Sequence, residues 1–351
     1  MAFKVRNYVI IPTYKEAKNL LKLLPVLRKY HVIVVDDDSQ DGTAAVCRRF
    51  SNVKLITRIG KRGMASASLD GMRSIADKNA NIVFMDADLE HDPSKVKALF
   101  ERLRSVDLVV AVKNGKRAFF RSSISWAGKK ATHVILPDTK MLHDPMSCFF
   151  GLRISSIDKK MLQKIYVEPF GKLMIVIFES LKPASKVGEV TYAYGSRELG
   201  PSSFGTAPIM DYAKELFRLN DNRFLYFLII GVLGIPLNEG LAALFYPYLP
   251  LAYVFLSAIT ISMIVNFVAN HYITFRGRAS FWRAFVKFLA ITAVITGVTN
   301  FVVSLALSYF TFYLFANMFG IIAGFIVKYG LSETVIWKTP GQRHKADEII
   351  R

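Results

Sequence analysis

The residues best suited to chemistry stand in "VFMDADLEHDP", Val83 to Pro93, where an apolar run leads into Asp86, Asp88 and Glu90 at every second position. In extended backbone alternate side chains face the same way, so the three acids are expected to project together. Like-charged carboxylates that close repel one another unless a cation neutralises them. Their hard oxygens suit Mg2+ or Mn2+, and Mg2+ takes one or two carboxylates together with substrate phosphate oxygens. The functional reading is therefore a metal bridging the protein and a nucleotide diphosphate, with Asp86, Asp88 and Glu90 as its candidate ligands. The plain alternative is a solvated acidic turn ahead of a helix N-terminus, where carboxylates are favoured. An isolated pair of acids favours the plain alternative. Two further polar strand ends in the same register turn the balance toward the metal.

The first of these is Pro12–Glu16, "PTYKE", and the second is "VVDDDSQDGT", Val34 to Thr43. The latter reads as a strand–turn–helix junction with Asp41 as helix cap, and Asp37 is a candidate for hydrogen bonding to a nucleotide base. In "GKRGMASASLDG", Gly60, Gly63 and small residues open a helix that lets a phosphate or sugar approach the backbone. Small residues serve close helix–sheet packing equally well.

The elements that must position these residues alternate along the first 205 residues. Five β-rich runs, "YVIIPTY", "HVIVVDDDS", "VKLITR", "NIVFMDADL" and "DLVVAV", are separated by amphipathic stretches such as "EAKNLLKLLPVLRKY" and "DPSKVKALFERLRS". Pro93 and Ser94 mark the start of the second of these. Near-continuous apolar strands alternating with helices imply a mostly parallel sheet covered on both faces. In such sheets ligands bind beyond the C-terminal ends of the strands, which is where the three polar turns lie.

The chain of 351 residues carries a formal net charge of +19, and 52% of it is hydrophobic. Its apolar residues concentrate in four stretches, at about 224–246, 249–272, 285–309 and 312–336, each near the roughly 20 residues that cross a bilayer. The tight turns "YPYLPLAY" and "YFTFY" carry no Lys or Arg. The loop between the second and third stretches carries Arg276, Arg278, Arg283 and Lys287, and the tail carries Lys338, Arg343 and Lys345. Basic residues favour the cytoplasmic side, so both termini and the first domain are expected there. The start of the chain does not read as a signal peptide. Residues 206–223 read as an interfacial amphipathic helix and 338–351 as a basic tail. No nucleic-acid-binding motif accounts for the charge, which leaves phosphorylated ligands and a membrane surface. With Cys47 and Cys148 alone, a disulfide framework is not expected.

The blocks "IIPTYKEAKNL", "VVDDDSQDGT", "MDADLEHDP" and "DPMSCFFGLR" together resemble the signatures of family-2 glycosyltransferases, which have the α/β GT-A fold. More narrowly, residues 6–205 resemble the polyprenyl-phosphate sugar synthases, the dolichol-phosphate mannose synthases above all. The C-terminal part, through "PLNEG" and "VNFVANHYITF", resembles the GtrA-like domain of four membrane helices, a pairing known from archaeal members. The resemblance implies an inverting, metal-dependent transfer of mannose from GDP-mannose to dolichyl or another polyprenyl phosphate, with Mn2+ or Mg2+. It implies that Pro12, Tyr14, Glu16, Asp37 and Asp86 line the nucleotide-sugar pocket, with Asp86 and Asp88 as the metal acids. It assigns Lys113, Arg121 and Ser125 to the acceptor phosphate, and Arg197 to the donor diphosphate or the acceptor phosphate; Asp88, Arg121 and Arg197 are the catalytic candidates. Arginine's fork suits phosphate oxygens, and a surface ion pair is the rival reading for each.

The chain departs from the family pattern at Lys15, Glu90, Lys113 and Ser203, where Asn, Gln, Arg and Lys are usual, each near a phosphate or the metal. UDP-glucose is the closest rival donor, since a few pocket contacts decide base and sugar. A processive synthase would carry a QxxRW motif, which the sequence lacks. A lipid-linked sugar carrier would leave the acidic constellation idle.

Overall fold

The computed structural model of the protein describes residues 6–60, 63–114, 119–193, 206–294, 324–338 and 349–350. The chain divides into two compact units, residues 1–133 with 138–219 and 343–351, and residues 134–137 with 220–342.

The first unit is built on an eight-stranded sheet of order β3-β2-β1-β4-β6-β5-β7-β8. The five runs expected from sequence form β1 (Asn7–Thr13), β2 (His31–Asp36), β3 (Val53–Thr57), β4 (Asn81–Phe84) and β5 (Leu108–Asn114). β1 pairs in parallel with β2 and β4, and β2 with β3. β6 (Phe150–Arg153) inserts antiparallel between β4 and β5. β7 (Val187–Ala193) runs parallel to β5, and β8 (Ile349–Ile350) to β7. The last residues of the chain are thus part of the sheet rather than a detached tail.

Helices α1 (Ala17–Val26), α2 (Thr43–Cys47), α3 (Met64–Arg73) and α4 (Lys95–Arg102) follow the first four strands in turn. α5 (Phe119–Ile135) follows β5, and α6 (Lys159–Lys164), α7 (Leu173–Ser180) and α8 (Thr206–Leu219) complete the unit. Strand alternation divides the core. Val9, Ile11, Val32, Val34, Val83 and Val109 pack in one cluster with Leu20 and Leu24 of α1, Leu99 of α4 and Leu103 just beyond it. The intervening Ile10, Ile33, Val35, Ile82 and Phe84 are also at most 2% exposed. On that face α3 comes so close that a Cβ on Gly71 would lie 2.7 Å from Ile10 Cγ2. Both faces are covered, as continuous apolar strands require. Each such Val, Ile or Leu contributes about 1.5–3 kcal/mol through its burial.

In the second unit, α9 (Arg223–Phe245) and α10 (Leu251–Ala269) match the first two expected spans, and both have the length and composition to cross a membrane. Leu233, Ile235, Leu244 and Leu256 are 60–64% exposed, a surface that calls for an apolar surround. Of the two later spans, α11 (Phe281–Val294) and residues 324–336, helical throughout and wider-wound over Ser332–Ile336, are described, and residues 295–323 lie outside the described residues. The helix expected at 206–223 breaks at Asp221 and Asn222, both with positive φ, between α8 and α9.

Asn266, Asn270 and His271 act in helix termination and packing. Asn270 Nδ2 donates to Asn266 O at 2.9 Å, Thr274 Oγ1 to Asn270 Oδ1 at 2.9 Å, and Trp337 Nε1 to His271 Nδ1 at 3.0 Å. Trp337 stacks on Phe275 at 4.2 Å within a buried aromatic cluster. Arg223 and Arg278 flank Glu333 at 3.2 and 3.6 Å. Lys328 lies over the Phe288 ring at 4.7 Å, and Glu239 accepts from Asn238 at 3.4 Å. These two charges, each within a span expected from sequence, thus have separate partners.

Candidate active site

The β4 turn begins where the sheet ends. The Met85 amide still donates to Ile10 O at 3.2 Å, as though the strand continued. Ala87 is buried while Asp86 and Asp88 on either side of it are half-buried, which is the alternation expected of extended backbone. Leu89 then takes φ +62°, and the turn closes as the Glu90 amide donates to Asp88 Oδ1 at 3.1 Å. The left-handed residue interrupts the extended run between Asp88 and Glu90. Among the described residues, no three His, Cys, Asp or Glu side chains come together as a ready metal cluster.

His91 organises this turn. Its Nδ1 accepts from the Asp86 amide at 3.0 Å, and its Nε2 lies 3.9 Å from Asp86 Oδ2. The ring stacks on Phe149 at 4.9 Å and meets Tyr192 edge-on. Burial, helped by the Lys113 ammonium, pushes its pKa down to about 3, so it holds Asp86 as a neutral imidazole.

The β2 turn is arranged differently. The Asp36 carboxylate accepts from the Ser39 hydroxyl and from the Ser39 amide at 3.2 Å. Asp37 is 4% exposed; its Oδ1 accepts from Arg58 Nε at 2.6 Å and its Oδ2 from the Gly63 amide at 3.0 Å. Arg58 spends its remaining donors on Ser66 at 3.0 Å, Asp70 at 3.1 Å and Gly63 O at 2.8 Å. Asp41 accepts from the Thr43 amide with one oxygen and from the Ala17 amide with the other, each at 3.0 Å. It therefore caps α2 from two residues ahead and also holds the start of α1. Burial raises its pKa, but the bonds from Thr43 and Ala17 outweigh that and hold it below the ordinary aspartate value.

On the β1 turn, the Lys15 amide donates to Ser39 Oγ at 2.8 Å with Lys15 at φ +59°, which ties the β1 and β2 turns together. Tyr14 is 37% exposed, and Glu16 accepts from Asn19 at 2.5 Å.

A small open cleft lies at the β1 and β4 ends. Pro12, Asp86 and Cys148 line it together with Ala65 and Ser68 of α3 and Gly171 ahead of α7. The structure thus brings Pro12 and Asp86 to one cavity, with Asp88 in the adjoining turn. Asp37 stands behind Gly63, two residues before Ala65 in the cleft wall. Ser125 lies half-buried on α5, and Arg121 lies on the same helix with its side chain outside the described residues. Arg197 and Ser203 lie wholly outside them.

Four residues enter the site without having been singled out by the sequence. Besides His91 and Arg58, Lys172 Nζ donates to Cys148 Sγ at 3.4 Å and bears electrostatically on Asp86 and Asp144. Burial raises the Cys148 thiol above its ordinary value, so a neutral thiol stands beside the ammonium. Asp144, 7% exposed, pairs with Lys129 of α5 at 3.3 Å. A basic residue next to a glycine, as in "GKL", was the one local hint of Lys172. The donor set fits a hard divalent cation of the Mg2+ or Mn2+ type: two half-buried carboxylates, with Lys113 and Lys172 nearby to receive phosphate charge.

Residues 8–159 match the family model described as glycosyl transferase family 2, and residues 226–337 match the GtrA/DPMS transmembrane domain. A dolichol-phosphate mannosyltransferase of Pyrococcus furiosus is 33% identical over 94% of this chain and 99% of its own. One of Saccharomyces cerevisiae is 28% identical over 63% of this chain and 91% of its own. An undecaprenyl-phosphate mannosyltransferase of Micrococcus luteus is 30% identical over 56% of this chain and 87% of its own.

Proposed function

The chain belongs to glycosyltransferase family 2, with a GtrA/DPMS transmembrane domain following the catalytic domain along the sequence, and from that premise we propose that it transfers mannose from GDP-mannose to dolichyl or another polyprenyl phosphate. It is a hexosyltransferase and a membrane protein. We infer that the reaction inverts the anomeric centre and runs at the cytoplasmic face, where the basic loop at Arg276–Lys287 and the basic tail direct the catalytic unit. The observation that carries the reading is the single cleft shared by Pro12 of β1, Asp86 at the end of β4 and the small-residue start of α3.

Asp86 and Asp88 would hold a divalent cation, which when bound supplies positive charge to the departing nucleoside diphosphate. Lys113 and Lys172, both half-buried, add fixed positive charge on the same side, where an ammonium partly out of water is worth more than in bulk solvent. The acceptor phosphate is already anionic at neutral pH, so its oxygen can attack the anomeric carbon without a strong general base. His91 is not such a base, because its Nδ1 already accepts the Asp86 amide. What falls to α5 is alignment of the attacking phosphate, through Ser125 and Arg121. A single displacement from an α-linked donor then gives a β-linked lipid-phosphate sugar.

The test is a transfer assay on the full chain in detergent with dolichyl phosphate, Mn2+ or Mg2+, and labelled GDP-mannose beside UDP-glucose. Lipid product from GDP-mannose that disappears with chelator and in Asp88→Ala is the expected outcome. Product from UDP-glucose alone keeps the mechanism and replaces the donor. No product from either, with folded protein, sinks both donors and turns attention to another nucleotide sugar or to carriage of a lipid-linked sugar.

A further inference from the structure

Helix α8 carries two acids, Asp211 and Glu215, one turn apart on the side that faces its own unit. Neither is used in the reaction proposed above. Both bind backbone amides of the segment that leads from α6 into α7. Asp211 Oδ2 accepts from the Phe170 amide at 3.2 Å, and Glu215 Oε2 from the Glu168 amide at 3.1 Å. Glu215 is 0% exposed, yet its other oxygen accepts from Arg218 at 3.0 Å, and Arg218 also donates to Tyr166 O at 2.8 Å. A carboxylate out of water is costly unless hydrogen-bonded and paired. Here, among the described residues, the donors to Glu215 are the Glu168 amide of this segment and Arg218, which itself grips the segment. Burial pushes the Glu215 pKa up to about 7 in spite of the pull of Arg218.

The fit leaves no slack. A Cβ on Gly171 would fall 1.7 Å from Glu215 Oε2, so the glycine is required by the carboxylate. From the same segment, Pro169 O accepts the Ala65 amide at 3.1 Å, and a Cβ on Gly63 would fall 2.4 Å from that carbonyl oxygen. The segment therefore joins α8 to two walls of the cleft: Gly171 is one wall, and Ala65 at the start of α3 is another. Lys172, the next residue, reaches Cys148 beside Asp86. On its other side α8 bonds to α5, where Tyr212 Oη meets Thr132 Oγ1. By its amphipathic sequence α8 is an interfacial helix; by its contacts it belongs to the nucleotide site.

We propose that α8 is a brace for the nucleotide cleft, with Glu215 and Asp211 as positioning residues that hold the Glu168–Gly171 backbone in the shape a nucleoside diphosphate requires. The inference deepens the function proposed above and rests on it for the identity of the ligand. A carboxylate gripping main-chain amides fixes backbone course irrespective of the gripped side chains, which suits a segment whose glycine and following lysine must be placed to within a fraction of an ångström.

The experiment uses the full chain in detergent, with calorimetric binding of GDP and of UDP in Mn2+ and hydrogen exchange of residues 165–172. In Glu215→Ala, nucleotide affinity is expected to fall by about tenfold, with faster exchange confined to that segment and the dolichyl-phosphate KM unchanged. Glu215→Gln, which keeps an acceptor for the Glu168 amide, restores most of the affinity. Gly171→Ala weakens binding through the clash, and the Gly171→Ala/Glu215→Ala pair binds better than Gly171→Ala alone because the carboxylate has gone. Unchanged affinity in a folded Glu215→Ala, or a double variant no better than Gly171→Ala, overturns the brace. Absence of transfer by the wild-type chain from either sugar donor sinks the reaction assigned above, whereas the brace is judged on nucleotide affinity and exchange alone.

Discussion

Two acid-rich turns, at the ends of β2 and β4, look alike in sequence and are built differently in the molecule. Asp36, Asp37 and Asp41 of the first are committed to Ser39, to Arg58 with Gly63, and to Thr43 with Ala17. Asp86 and Asp88 of the second stand half-buried at and beside the cleft, fixed through main-chain amides and the ring of His91. The first turn uses its charge to hold Gly63 and α3 behind the cleft, and the second places Asp86 in the cleft's lining. An acidic motif is read by what its carboxylates already hold, not by its count of acids.

The comparison breaks if acids of the first turn prove dispensable for stability. Arg58 and Asp37 are 5% and 4% exposed and share a network with Gly63, Ser66 and Asp70. Arg58→Ala is expected to cost about 3–5 kcal/mol, because it leaves Asp37 charged, buried and unpaired. Thermal and denaturant unfolding of the full chain in detergent measure this. A loss below about 1 kcal/mol would mean that Asp37 has other support and is available to a nucleotide base.

The converse holds for the second turn. Asp88→Asn preserves the acceptor for the Glu90 amide while removing the charge. It is expected to lower kcat by about 10²–10³-fold and to leave stability within about 0.5 kcal/mol. Steady-state transfer and a melting curve on one preparation decide it. A destabilised yet active Asp88→Asn would show that both turns are structural.

The contrast also marks what sequence could and could not show. The five parallel strands were legible because each is a continuous apolar run ending in a polar turn, a local signal. The acids were legible as a set, and so was the membrane half, through its length of apolar chain. The partners that separate the two turns were not. Arg58 is one basic residue after a strand, 21 positions from Asp37, and only the parallel pairing of β2 with β3 brings them together. Lys172 meets Cys148 across 24 positions. His91 lay within the quoted motif, but its bond to the Asp86 amide depends on the left-handed turn at Leu89. β6 is short, and nothing local marks it as antiparallel between two strands of the other direction. α8 read as interfacial because its periodicity reports amphipathicity and is silent on which polar residue faces inward.

The smallest expected effect tests the finest part of the comparison, that Asp41 is a cap and not a ligand. It is exposed, accepts from the ends of two helices, and titrates below the ordinary aspartate value because those bonds favour its charged form. A depressed carboxylate contributes stability above its unfolded pKa, and the contribution is lost as pH falls through its folded pKa. Asp41→Asn keeps one acceptor and loses the charge that favours two helix N-termini. It should therefore cost about 0.5–1 kcal/mol at pH 7. The gap to wild type should close as the pH falls through the acid range around and below the ordinary value of about 3.9. Denaturant midpoints of the two proteins, compared at each pH, read the gap directly. Nucleotide affinity at neutral pH should not move. If it falls while the stability gap stays flat with pH, Asp41 faces the ligand, and the β2 turn shares the role assigned to β4.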